Sequence, residues 1–259
     1  MTGTVLVTGA SGTLGRAVTR YLLDDGRQVR GLSRHPLQEG AVAWVAGDLL
    51  TGAGMEQALA GVDAIVHCAT DLRHPRVDSE GTQKLIDAAQ RAGAPHLVYI
   101  SIVGADRIPL GYYRAKVEAE SKVRAGGLPW TILRATQFHQ LLISALEVLA
   151  RLPVLMVPAE TRFQPVDPEE VAQELARLAS GDARELVPDF GGPELRSSLE
   201  LARTYLVAKG KQRPVLAVKL PGKIAGGYRQ GGHLTPNRAV GRRTWEQFLA
   251  DHSTSATDR

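Results

Sequence analysis

The chain has 259 residues, 44% of them hydrophobic and 22% charged, which are the proportions of a globular protein and not of a disordered or fibrous one. Its net charge of +4 comes without any aromatic-interleaved basic module, so no nucleic-acid partner is expected. A lone cysteine, Cys68, excludes an internal disulfide and a multi-cysteine metal site, and no apolar run approaches the roughly 18 residues of a membrane span. With no metal, no membrane partner and no room for a signal peptide before the first strand, a cytoplasmic protein is expected.

Val5, Leu6 and Val7 form an apolar run without polar alternation, as in a strand buried on both faces of a parallel sheet. It leads into Gly9, Gly12 and Gly15. Gly9 permits a sharp turn, Gly12 removes a side chain where backbone meets a pyrophosphate, and Gly15 lets the next helix lie close to the strand. Leu14, Val18, Tyr21 and Leu22 then recur at helical spacing up to Gly26. The free amides and positive dipole end of such a helix suit a phosphate.

Gln28 to Leu32 is a second strand. About 20 residues beyond the glycines, an acidic residue would select NAD by accepting from a ribose hydroxyl. Ser33 and Arg34 stand there instead, and an arginine beside a hydroxyl suits a 2′-phosphate, so the expected cofactor is NADP(H). Val42 to Val45 is a third strand, followed by Asp48, whose carboxylate either accepts from an adenine amino group or caps the next helix. Asp63 to Ala69 is a fourth strand in which His67 and Cys68 read as packed core residues, and Thr70 opens a loop at the carboxyl edge of the sheet. Val77 to Ala92 is a helix with Leu85, Ile86 and Ala89 on one face, and His96 to Ile100 is a fifth strand ending at Ser101. Alternating units of this length predict right-handed crossovers and an α/β, doubly wound parallel sheet.

Tyr112 and Lys116 lie four apart, which places them one turn apart on one helix face. A lysine ammonium beside a phenol favours the phenolate and makes the tyrosine a usable proton donor and acceptor. Ser101, at the end of the preceding strand, is placed to hydrogen-bond a substrate carbonyl. Tyr113 is a rival phenol, offset by three residues from Lys116.

These stretches, with Gly47-Asp48-Leu49, His67 to Thr70, Tyr99 to Gly104, Tyr112 to Glu120, Leu133 to Phe138 and Pro165-Val-Asp167, resemble the short-chain dehydrogenase/reductase superfamily and, within it, the atypical NmrA-like branch. The resemblance covers most of the chain and implies a Rossmann-type, NADP-binding protein in which Ser101, Tyr112 and Lys116 match the catalytic Ser, Tyr and Lys. It implies cofactor contacts at Gly9, Ser11, Gly12, Thr13, Leu14 and Gly15, at Ser33 and Arg34, at Asp48 and Leu49, and at Ala69 and Thr70. It also implies that Lys116 meets the nicotinamide ribose and that Ala135, Thr136, Gln137 and Phe138 line the nicotinamide side. The spacing of eleven between Ser101 and Tyr112 is shorter than in many members, with Pro109 and Gly111 between them.

Trp130 to Arg134 is a sixth strand, and Gln137 to Ala150 an apolar helix of core or dimer-surface character, leaving monomer or homodimer open. A short strand at Phe163 to Val166, a helix from Asp167 to Leu178 capped by Asp167 and Glu170, a short strand at Glu185, a helix from Ser197 to Ala208 and a strand at Val215 to Val218 follow. Lys211, Arg213, Lys219, Lys223 and Arg229 read as a solvated basic face. Thr244 to Ala250 is a closing helix, and Asp251 to Arg259 reads as a tail. The whole chain is expected to be one Rossmann domain, with a small C-terminal substrate lobe built mainly from residues 151–250. The function expected is NADPH-dependent reduction of a carbonyl or conjugated small molecule. A non-catalytic NADP(H)-sensing regulator and a sugar-nucleotide epimerase or dehydratase are the alternatives.

Overall fold

The structure, a computed structural model, describes residues 3–37 and 40–254. In chain order its elements are β1 (Thr4–Thr8), α1 (Thr13–Asp24), β2 (Gln28–Ser33), β3 (Ala43–Ala46), α2 (Met55–Leu59), β4 (Ala64–His67), α3 (Thr82–Arg91), β5 (His96–Ile102) and α4 (Gly111–Ala125). There follow β6 (Trp130–Ala135), α5 (His139–Leu149), β7 (Leu155–Pro158), β8 (Arg162–Phe163), α6 (Pro168–Ala179), β9 (Glu185–Leu186), β10 (Arg196–Ser197), α7 (Ser198–Ala208), β11 (Val215–Val218), α8 (Lys223–Arg229) and α9 (Trp245–Thr254). Among the described residues, 3–37, 40–101, 111–134 and 168–188 form one compact unit, and 102–110, 135–167 and 189–254 a second.

The first unit is built on a seven-stranded parallel sheet in the order β3-β2-β1-β4-β5-β6-β9. Starting from β1, the order runs outward to β3 on one side and through β4 on the other, which is the doubly wound, Rossmann-type arrangement. Val7 pairs with Gly31 on one side and Val66 on the other, and all three apolar residues of β1 are fully buried, as a strand without polar alternation requires. Leu6, Ile65, Leu97 and Tyr99 pack with Leu85, Ile86 and Ala89 of α3 and Ala119 and Val123 of α4. Helix α1 packs along α6, and α6 against β4.

The second unit pairs β8 with β10 antiparallel and β7 with β11 in parallel. Leu155, Val157, Leu201, Tyr205, Trp245 and Phe248 form its core. Ser197 and Glu200 make a capping box at the start of α7.

Most expected elements are present with ends displaced by one to three residues, since hydrophobic runs mark the middle of an element better than its limits. Helix α2 is five residues long, too short to show a period, and α8 contains Gly226 and Gly227, poor helix formers. Neither is visible in the sequence pattern, nor is β7. The helix expected over Val77 to Ala92 instead opens with a π-helical turn at Val77–Gly81. Helix α9 continues to Thr254, into the expected tail, and residues 255–259 lie outside the described residues. Asp167 Oδ2 accepts from Arg243 Nη1 at 2.7 Å.

Candidate functional site

Because the strands of the first unit run parallel, the segments after β1, β2, β3 and β4, and Ser101 near the end of β5, emerge at one edge of the sheet. Gly9 turns the chain with φ +68°, and a Cβ there would meet the Ala69 backbone at 2.8 Å. A Cβ on Gly15 would lie 2.1 Å from Gly9 O, so the helix approaches the turn too closely for any side chain. Gly12 is different. Its φ is −79°, and an added Cβ would meet only Gly9 O, at 3.3 Å. The protein's own packing therefore restricts this exposed position far less than it does Gly15, and leaves its surface open to a ligand.

Gly12 is also the N-cap of α1 and gives no side-chain cap; Arg16 N donates to Gly12 O at 2.9 Å as the first helical bond. The amides of Thr13, Leu14 and Gly15 face out of the helix start, and no acidic residue occupies the first turn. Ser11 and Thr13 are exposed beside them, while Leu14 is buried. This turn fits a dinucleotide phosphate.

Ser33 Oγ donates to His35 O at 3.0 Å and accepts from His35 N at 3.1 Å, which shapes the loop after β2. Arg34 is exposed there. Asp48 Oδ1 accepts from the amides of Leu50 and Thr51 at 2.6 and 3.1 Å, so it caps a turn, and Leu49 is buried behind it. His67 is fully buried; its Nδ1 lies 2.6 Å from Thr8 Oγ1 and its Nε2 2.9 Å from Thr82 Oγ1. Desolvation, helped by the Lys116 charge, pushes its pKa down to about 3, and burial pushes the Cys68 thiol up to about 12, so neither is a reactive group at neutral pH.

Tyr112 and Lys116 share one face of α4. Lys116 Nζ lies 5.8 Å from the centre of the half-buried Tyr112 ring and 4.9 Å from that of Tyr99, and it donates to Ile100 O at 3.2 Å. Tyr112 Oη lies 3.1 Å from Thr70 Oγ1, whereas Tyr113 is only 2% exposed. Ser101 is buried, and its Oγ makes no hydrogen bond among the described residues. The same neighbourhood holds Asp78, which spacing does not flag. It lies within the π-helical turn, is fully buried, and puts Oδ1 2.9 Å from Lys116 Nζ. Desolvation opposes the ammonium, but the electron-rich oxygens of Tyr99 and Tyr112 and the Asp78 carboxylate outweigh it and hold the Lys116 pKa well above the usual lysine range.

Ala135, Thr136, Gln137 and Phe138 belong to the second unit. There Thr136 N donates to Phe190 O at 3.0 Å, Thr136 Oγ1 accepts from Gly192 N at 3.2 Å, Gln137 Nε2 donates to His233 O at 3.5 Å, and Phe138 bridges to Val166.

Residues 9–150 match a family model described as NAD(P)H-binding. The chain is 28% identical over 256 residues to the photosystem II assembly factor Ycf39 of Trieres chinensis, covering 91% of this chain and 80% of that protein. It is 31% identical over 184 residues to the Cyanophora paradoxa protein of the same name, covering 65% and 57%. Among solved structures, the NADPH complex of the NADPH-dependent quinone oxidoreductase QOR2 from Escherichia coli aligns with TM-score 0.81 at 20% identity, over 98% of this chain and 99% of that one. The Citrobacter sp. triphenylmethane reductase with NADP(H) aligns with TM-score 0.78 at 18% identity, over 96% and 99%. These two likenesses establish the fold.

Proposed function

The chain belongs to the NAD(P)H-binding family, and on that premise we propose that it is an NADPH-dependent reductase of a carbonyl or conjugated small molecule, of the NmrA-like, atypical short-chain dehydrogenase/reductase class. The observation that carries this reading is the placement of the Tyr112 hydroxyl and the Lys116 ammonium on one turn of α4, in the unit whose glycine turn fits a dinucleotide. A nicotinamide cofactor, when bound, would supply the hydride. The amides of Thr13, Leu14 and Gly15 hold phosphate, Gly12 leaves room for it, and Arg34 takes the 2′-phosphate. Ser101 donates to the substrate oxygen, and Tyr112 gives that oxygen its proton.

Purified protein tested with NADPH against a panel of quinones, aldehydes and ketones checks the reading. Tyr112→Phe is expected to lower turnover by about 100-fold or more while leaving NADPH affinity within about twofold. Turnover unchanged by the substitution removes Tyr112 from the role.

The relatives named as assembly factors favour a second reading, an NADP(H)-binding protein that serves a protein partner without turnover. It requires silence across the whole substrate panel and a partner interaction that differs between NADPH and NADP+.

A further inference from the structure

The sequence spacing pairs Tyr112 with Lys116, and in the structure that lysine has a buried counter-ion. The Lys116 and Asp78 side chains are 4% and 0% exposed and lie 2.9 Å apart. The second carboxylate oxygen, Asp78 Oδ2, accepts from Thr70 Oγ1 at 3.0 Å and from the Asp71 amide at 3.3 Å. An ion-paired carboxylate only accepts, and a threonine hydroxyl has a single proton to give. With that proton committed to Asp78, Thr70 Oγ1 meets the Tyr112 hydroxyl, 3.1 Å away, as an acceptor. The chain of donors therefore runs one way, from Tyr112 to Thr70 to Asp78.

We infer that Asp78 and Thr70 are positioning residues that hold Tyr112 as a protonated phenol, in opposition to Lys116. The inference rests on the reading of Tyr112 as the proton donor.

Two effects oppose ionisation of Tyr112. A phenolate would be a second anion sharing one cation with Asp78, and like charges in a confined site disfavour each other. A phenolate also has no proton to give Thr70, so Thr70 must turn its hydroxyl to the phenolate and abandon Asp78. The other groups about Tyr112 do not reverse this balance. Lys116 favours the phenolate, but its charge is shared with Asp78; the Tyr113 ring is 6.1 Å from that of Tyr112; Tyr99 lies under the same lysine, with its own ionisation pushed up by burial; and Asp71 is engaged by His74 Nδ1 at 3.0 Å and by the amides of Arg73 and His74.

The backbone around Asp78 is specialised for this placement. Asp78 lies in the π-helical turn Val77–Gly81, a rare form frequent at functional sites. Its peptide oxygen accepts from Thr82 Oγ1 at 2.5 Å, and that hydroxyl oxygen lies 2.9 Å from His67 Nε2. In the proposed reaction the Tyr112 O–H bond breaks as an O–H bond forms on the substrate oxygen, which balances the hydride delivered to carbon. The phenolate left on Tyr112 then draws the Thr70 hydroxyl from Asp78 and is re-protonated from solvent.

Tyrosinate absorbance titration tests this without any substrate, each protein being read against the same protein carrying Tyr112→Phe so that only Tyr112 is counted. Thr70→Val is expected to lower the Tyr112 pKa by about one unit, a tenfold change in its ionisation constant, and Thr70→Ser to leave it near the wild-type value. Asp78→Asn is expected to lower it further. Thr70→Val strands no buried charge, so it decides the matter even where Asp78→Asn fails to fold. A Tyr112 pKa that is unchanged or raised in Thr70→Val overturns the inference and leaves the reductase reading standing. A Tyr112→Phe protein with full turnover removes that reading while the titration result stands.

Discussion

The guanidinium of Arg34 is exposed just past the end of β2, where Ser33 spends its hydroxyl on shaping the loop and makes no competing anion site. Neither position holds a carboxylate of the kind that would accept from an unmodified ribose. Wild-type protein is expected to bind NADPH about tenfold or more tighter than NADH, a difference of about 1.4 kcal/mol that Arg34→Ala erases, as read by fluorescence titration of both cofactors. Equal affinities in the wild type would place selectivity elsewhere. The place of Arg34, just past the end of β2, is legible in the sequence because it depends on distance from the glycines. Asp78 is not, because an acid in the first turn of a helix reads as a dipole partner, and only the folded sheet brings it to Lys116.

At the scale of the element, the three glycines of the first turn do different work. Gly15 is required by the protein's own backbone, with Gly9 O 2.1 Å from the place of its Cβ, whereas Gly12 has nothing nearer than 3.3 Å. Gly15→Ala is therefore expected to destabilise the fold by about 3 kcal/mol or more. Gly12→Ala is expected to melt within a few degrees of wild type and yet bind NADPH about tenfold more weakly. Thermal melts with and without NADPH separate the two; a Gly12→Ala protein that binds normally would remove the phosphate from that position. The helix after β4 shows the limit of periodic reading. Leu85, Ile86 and Ala89 mark its apolar face correctly, but apolar spacing carries no sign of the π-helical turn before them.

For the whole molecule, His67, which links β1, β4 and α3 through Thr8 and Thr82, is one source of acid sensitivity, beside His96 and His233, whose pKa values burial also lowers. The folded pKa of His67, about 3, lies below the ordinary value of 6.5. Between these values the unfolded chain binds the extra proton, so stability rises with pH across the window and falls as pH drops through it. The slope from this residue is at most about 1.4 kcal/mol per pH unit. Urea melts at several pH values are expected to show it, and a neutral replacement, His67→Gln, is expected to flatten the dependence in that window. A slope unchanged in the variant would assign acid sensitivity to other groups.

The parallel sheet, its glycine turn and the Tyr112–Lys116 spacing were legible in the linear sequence because each depends on neighbours within a few residues. Short runs without alternation, glycines at fixed intervals and a one-turn offset carry their geometry with them. Tertiary structure alone decided that Lys116 is ion-paired, that Thr70 joins Tyr112 to Asp78, and that the buried His67 is held between Thr8 and Thr82. Those facts arise where segments distant in the chain meet at a low-dielectric edge, and the resulting loss of water, which no local pattern records, sets their charges and hydrogen bonds.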